Sequence, residues 1–411
     1  MKRRHFLSSL ATAGLAAAAV PDSIRGLRPM TTGISPISDD ERRARMDKAR
    51  RLMVENKIGG IVLEPGSTMS YFTAIQWGRS ERMFAMVLPA RGEPAYVVPG
   101  FEEARAREQI RFGNDIRVWQ EDEDPAKIVA GILKDRGIST SHIGMEEQVR
   151  FFVFDGLRKC APGAEYIDAR PISAGCRMIK SPAEIALLQR ANEVTLAAIK
   201  ATAATLHEGM TQHDVAANLS AAYTALGFRG DGLVILGKSS ASPHGSVQPQ
   251  KLLEGDVVLI DSGTKADGYV SDVTRTWVFG KPSARQRQVW ELEHQAQDAA
   301  FKAAQPGATC ESVDAAARKV ITDAGFGPDY KVPGLPHRTG HGIGLDGHEW
   351  TNFVRGNKTK IAPGMCFSDE PTIAIYGEFG IRLEDCLYIT ENGPRFFTPQ
   401  SPSIDKPFGD A

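Results

Sequence analysis

The 411 residues carry 49 Lys and Arg against 50 Asp and Glu, a net charge of −1. That balance excludes the basic field that draws a chain to nucleic acid or to an acidic membrane surface. With 42% hydrophobic and 24% charged residues, the chain has the make-up of a globular protein long enough for two or three cores.

The first twenty residues, MKRRHFLSSLATAGLAAAAV, join a basic start to an apolar run from Phe6 to Val20. The run falls short of the roughly 20 apolar residues that a stable membrane span needs. Its small-residue end, the alanines at 16–19, suits removal as a secretory signal. Arg3-Arg4-His5-Phe6-Leu7 resembles the twin-arginine export signal of bacteria, with Lys2 where Ser or Thr often stands. The expectation is an export signal and linker over residues 1–30, cleaved in a periplasmic or secreted protein. Residues 21–38, rich in Pro, Ser, Thr and Gly, read as linker.

A first domain is expected over 38–175. It opens with a charged amphipathic helix (about 39–57), followed by the strand-like runs GGIVLE, RMFAMVLPA and PAYVVPG. Helix–strand alternation to about residue 175 predicts an α/β domain without metal ligands or a nucleophile motif.

A second domain is expected over 178–400. Ser181, Pro182 and Glu184 supply an N-cap, a proline at the first helical position and a capping box. Thr211 with Asp214, Ser283 with Gln286, and Thr309 open three further helices, ended by Gly227, Pro306-Gly307 and Gly325. Between and after them lie the strands GLVILG, DVVLIDSG, YVSDVTRTWVFG, GMCFSDEPTIAIY and GIRLEDCLYIT. Four helices with mostly antiparallel strands predict an α+β catalytic domain.

Some motifs are decoys. Gly232 to Ser239 matches the written P-loop pattern, but its four central aliphatics want a buried strand and no helix follows promptly. His348-Glu349 is not followed by the second His of a zincin, and no GxSxG elbow is present. The five cysteines are scattered without a CxxC, so neither a zinc ribbon nor a disulfide scaffold is expected, although one disulfide stays open.

The carboxylates carry more. Asp261 closes the apolar run VVLID; Asp272 sits in YVSDVTRT on one face with Thr274 and Thr276. A hairpin through KADGY would bring the two aspartates together. Glu370 precedes a proline, and Glu384 lies in an apolar strand. Buried carboxylates must be paired or bind metal, and only Arg275 and Arg382 are near in sequence. His244, His337, His341 and His348 lie in glycine- or proline-flanked extended stretches, and His337 and His341 share a strand face.

Asp261 with Asp272, HRTGHGIGLDGHE, Glu370-Pro and RLED together resemble the metallopeptidases of the creatinase, prolidase and methionine aminopeptidase superfamily, family M24, over almost all of 40–395. The resemblance implies the pita-bread catalytic fold behind a creatinase-type amino-terminal domain, and a homodimer in which residues 76–82 of one copy close the site of the other. It implies two divalent metal ions, with Asp261 on one, His341 and Glu370 on the other, and Asp272 and Glu384 bridging. Hard oxygen donors with one imidazole suit Mn²⁺, with Fe²⁺, Co²⁺ or Zn²⁺ able to use the same ligands. Glu370 would be the general base, His244 and His348 catalytic substrate contacts, and His337 and Arg382 either supports behind the ligands or contacts to the substrate carboxylate, with Arg338 a further candidate for that carboxylate. The implied activity is hydrolysis of the peptide bond preceding proline, as an Xaa-Pro dipeptidase or aminopeptidase. Another metal-dependent amide or ester hydrolase, or a non-catalytic binding relative, are the alternatives. One departure is Glu349-Trp350-Thr351-Asn352, without the proline that often follows the His-Glu pair; it bears on pocket shape.

Overall fold

The computed structural model describes residues 20–409; of the export signal and linker expected over 1–30, residues 1–19 lie outside them. In the first domain, strands β1 (Ile58–Leu63), β2 (Ala85–Pro89), β3 (Ala95–Pro99), β4 (Asp115–Trp119), β5 (His142–Met145) and β6 (Glu165–Asp168) form one mixed sheet in the order β4-β3-β2-β1-β5-β6. Alternation along β1 sends Ile61 and Leu63 to one face and Val62 to the other. The first face packs on Met46, Ala49 and Met53 of the Asp39–Glu55 helix, the second on Val129, Ile132 and Leu133 of the Pro125–Asp135 helix. Both faces are covered, which explains why these strands read as continuous apolar runs.

The Arg170–Arg177 helix ends this domain, and Ser181 then caps the Pro182–Ala203 helix with the full reciprocal box read from the sequence. Thr211 and Ser283 form such boxes as well, on the Gln212–Ala225 and Ala284–Ala303 helices; Thr309 makes no side-chain cap on Cys310–Asp323.

Three groups of strands complete the second domain. Strands β7 (Gly230–Leu236), β8 (Val257–Ala266), β9 (Tyr269–Val270) and β10 (Val273–Val278) form one sheet. Strands β11 (Gly340–Gly342), β12 (Glu349–Phe353), β13 (Cys366–Asp369), β16 (Asp385–Thr390) and β17 (Gly393–Phe396) form a second, with β14 (Thr372–Ile375) and β15 (Phe379–Arg382) as a ribbon. The P-loop decoy is strand β7 running into a short 3₁₀ turn, as its aliphatics require. Asp267 and Gly268 both take positive φ between the paired Ala266 and Tyr269, the Asp-Gly two-residue hairpin that twisted strands favour.

The stretch 21–38 is not a free linker, contrary to its composition. Ile24 is buried against Val194 and Ala198, Ser23 donates to the Ala201 carbonyl, and Met30 donates to the Leu226 carbonyl. Small polar residues mimic a linker in sequence, but the buried Ile24 and Ile37 and these two hydrogen bonds seat the segment. Among the described residues no helix is long and apolar enough to cross a membrane, and no cysteine is disulfide-bonded.

Candidate metal centre and substrate cleft

The five proposed ligands come from different strand ends. Asp261 lies on β8, Asp272 just before β10, His341 on β11, Glu370 just after β13, and Glu384 between β15 and β16. Thr274 and Glu384 exchange backbone hydrogen bonds at 3.2 Å each way, which joins the two sheets at the site. Gly340 lets β11 approach β13, because a Cβ there would meet the Ser368 carbonyl oxygen at 2.1 Å.

One ligand atom each from Asp272, His341 and Glu384 lie within 4.8 Å of one another. His341 Nε2 stands 3.1 Å from Glu370 Oε1 and 3.8 Å from Asp272 Oδ2. Its Nδ1 is 3.1 Å from the Gly342 carbonyl. A carbonyl only accepts, so Nδ1 holds the proton and Nε2 is left as a ligand atom. Asp261 accepts from Arg382 Nη2 at 2.5 Å. All five residues line one cavity of about 470 Å³ together with His244, His337, Arg338 and His348.

The electrostatics of the cluster call for a cation. Burial, then the mutual repulsion of neighbouring carboxylates, pushes Asp272 and Glu384 well above the usual carboxylate range. Glu384 Oε2 accepts from Thr274 at 2.7 Å, while its buried Oε1 has no partner among the described residues. Burial acts upward on Glu370 too, but without a metal a protonated His341 would outweigh it and hold the group below its ordinary value, so the site favours a cation beside Glu370. Four carboxylates, one orphaned oxygen and an imidazole with its lone pair turned inward form a donor set that fits divalent ions.

The other predicted residues divide. His244 and His348 are exposed at the cavity. His348 stacks on His341 with ring centroids 3.9 Å apart, and its Nδ1 lies 2.6 Å from Arg338 Nη2. Arginine only donates, so Nδ1 accepts and Nε2 carries the proton. Burial first, then the positive neighbours, lowers the His348 pKa to about 4. His337 spends Nδ1 on the Arg338 carbonyl (2.7 Å) and Nε2 on Thr372 (3.0 Å), so its nitrogens are engaged within the protein. Arg382 is likewise committed to Asp261, the Pro243 carbonyl and Thr274. Both line the cleft, yet they hold its walls. Trp350, Thr351 and Asn352, the departure noted in sequence, lie on β12 and do not line the cavity.

Sequence reasoning missed the residues that hold this geometry. Asp314 accepts from Thr339 N and Oγ1, and Arg318 donates to the Leu335 and His337 carbonyls, so one helix grips the chain leading to His341. Their spacing of four on a helix was the available signal. Arg177 and Lys180, from the domain junction, neutralise Glu349; nothing local in the sequence links them.

Comparison with known proteins agrees with this geometry. The family model "Metallopeptidase family M24" matches residues 186–391, and "Creatinase/Prolidase N-terminal domain" matches 45–179. The chain belongs to metallopeptidase family M24. The probable dipeptidase PepE of Mycobacterium tuberculosis is 37% identical over 82% of this chain and 88% of that protein. The Xaa-Pro dipeptidase of Lactobacillus helveticus is 33% identical, covering 86% and 96%. Among solved structures, dipeptidase PepE of Mycobacterium ulcerans superposes with a TM-score of 0.82 at 33% identity, covering 89% of this chain and 97% of that one. The prolidase of Thermococcus sibiricus gives 0.80 at 29%, covering 89% and 98%. The M24 chain described here is thus a metallopeptidase of a divalent-metal-dependent family, with the α+β pita-bread domain behind a creatinase-type domain.

Proposed function

We propose that this M24 enzyme is an Xaa-Pro dipeptidase with two divalent ions, most simply Mn²⁺, which Asp261, Asp272, His341, Glu370 and Glu384 would hold. The observation that carries the reading is the under-neutralised carboxylate cluster opening on a cleft where, among the described residues, Arg338 keeps donors beyond the one it gives His348. Bound ions would supply Lewis acidity, which polarises a carbonyl and acidifies water. Glu370 takes a proton from the attacking water and returns it to the leaving nitrogen. His348 presents its Nε2–H to the substrate carbonyl as charge develops there, and His244, which also lines the cavity, contacts substrate. Arg338 gives one donor to His348 and keeps others for the substrate carboxylate. The prolyl nitrogen of an Xaa-Pro bond is a tertiary amide with no N–H to grip, so recognition falls on the two ends of a dipeptide. The relatives named Xaa-Pro dipeptidase support the same substrate.

The test compares kcat/KM for Ala-Pro, Ala-Pro-amide and Ala-Pro-Ala with metal-loaded enzyme. Loss of one charge-assisted contact is worth about 1.5–3 kcal/mol, so the amide should be roughly ten- to a hundredfold poorer, and Arg338→Met should erase that difference. Faster cleavage of the tripeptide would make the enzyme an aminopeptidase, and cleavage of none would turn the reading to another amide or ester hydrolase.

We also infer export by the twin-arginine route, with cleavage ahead of the Asp22–Arg25 helix whose Ile24 the catalytic domain buries. Arg3→Lys with Arg4→Lys should strand precursor in the cytoplasm. A homodimer meeting at residues 76–82 completes the proposal; light scattering of the parent and of Trp77→Glu checks it.

A further inference from the structure

His348 is exposed at the lip of the cleft, at the end of a loop held by both domains. Within its own domain, His348 itself meets Arg338 and stacks on His341, Val270 N donates to the Gly344 carbonyl at 2.8 Å, and β12 begins at Glu349. Further ties run to the amino-terminal domain. Ser67, the first residue of the Ser67–Thr73 helix, donates to Asp346 Oδ1 at 2.5 Å. Arg177 Nη2 donates to Asp346 Oδ2 at 2.8 Å and also to Glu349. Behind it, Arg177 Nη1 reaches Thr68 Oγ1 at 3.0 Å, and Thr68 donates to Glu146 at 3.1 Å. Glu349 Oε1 in turn accepts from Leu345 N (2.8 Å) and Asp346 N (3.1 Å), and Leu345 packs against the core of the amino-terminal domain. The carboxylate fits under the loop because residue 344 is glycine: a Cβ there would stand 2.6 Å from Glu349 Oε2.

We propose that the amino-terminal domain is a latch for catalysis, in which Ser67 and Arg177 act through Asp346 and Glu349 as positioning residues for His348. The inference rests on the reading of His348 as a substrate contact. The ring stacks on His341 at 3.9 Å, so a loop shift of a fraction of an ångström moves the Nε2–H off the substrate carbonyl without displacing a metal ligand. Sub-ångström placement of such donors decides their effect on rate.

Ser67→Ala and Asp346→Asn test this in the full-length, metal-loaded chain, since both sit at the edge of the network and leave Arg177 with Glu349. One hydrogen bond's net worth translates into a kcat about two- to tenfold lower on Ala-Pro, with KM and bound metal unchanged. Amide hydrogen exchange should speed up over residues 344–349. In a His348→Ala background the same substitutions should cost nothing further. Unchanged kcat in the parent, or an equal loss in both backgrounds, would overturn the latch. Should the parent cleave no Xaa-Pro peptide, the functional reading fails by itself. Hydrogen exchange then decides the latch alone: faster exchange over 344–349 supports it, and unchanged protection rejects it.

Discussion

Two buried glutamates of the catalytic domain, Glu349 and Glu384, have opposite environments. Glu349 is met by Arg177, by Lys180 at 3.1 Å and by two backbone amides. Burial alone would raise its pKa, but Lys180 and Arg177 overcome that and bring it to about 2. Glu384 sits among Asp272, Glu370 and Asp261, with one oxygen unpartnered, and is pushed well above the ordinary range by burial and then by those charges. Paired charge of the first kind holds a fold together; unpaired charge of the second kind is tolerated where a ligand completes it. The difference separates the residues that build the cleft from those that work in it.

Substitutions at the two positions should therefore act in opposite directions. Glu384→Gln should lower kcat/KM by on the order of 10³-fold and reduce bound metal, yet raise the melting temperature of the metal-free chain by removing a repulsion. Glu349→Gln should keep the metal and lower that melting temperature. A Glu384→Gln chain with full metal and rate would break the comparison.

Arg177→Met gives the next largest effect, since it leaves Glu349 buried with one cation fewer. Breaking such a pair costs about 3–5 kcal/mol, read as a lower urea midpoint with an unchanged slope.

The pH dependence of stability sharpens the contrast further. Glu349 has a depressed folded pKa, about 2 against an ordinary 4.5, so its contribution is complete above pH 4.5 and is lost as pH falls toward 2. The loss amounts to about 3 kcal/mol at 1.36 kcal/mol per unit. Urea unfolding of metal-free parent and Glu349→Gln should differ at pH 5 and converge near pH 2. A gap that persists there would show that packing, not charge, makes the difference.

Local signals in the chain were read reliably where the chemistry is local. Ser181, Thr211 and Ser283 announce their helices because a cap and its partner lie three residues apart. The Asp-Gly turn announces the hairpin that carries Asp261 and Asp272. The order of four carboxylates and one histidine was legible through its resemblance to a known family, and the described residues bring all five into one cavity. The linker was misread because small polar residues look alike whether free or seated by Ile24.

What the sequence determined by itself is thus the inventory: two domains, their helix caps, and a set of acids too numerous for the arginines beside them. Only the tertiary structure decided which cation meets which acid. Arg382 reaches Asp261 across 121 positions, and Arg177 reaches Glu349 across 172. Side-chain pairing over such separations depends on where strands end and domains meet, a property of packed geometry that no window of sequence encodes. The same packing engages His337 and Arg382 within the protein and places Arg338 on the cleft, because a donor already satisfied by the protein has less left to offer a substrate.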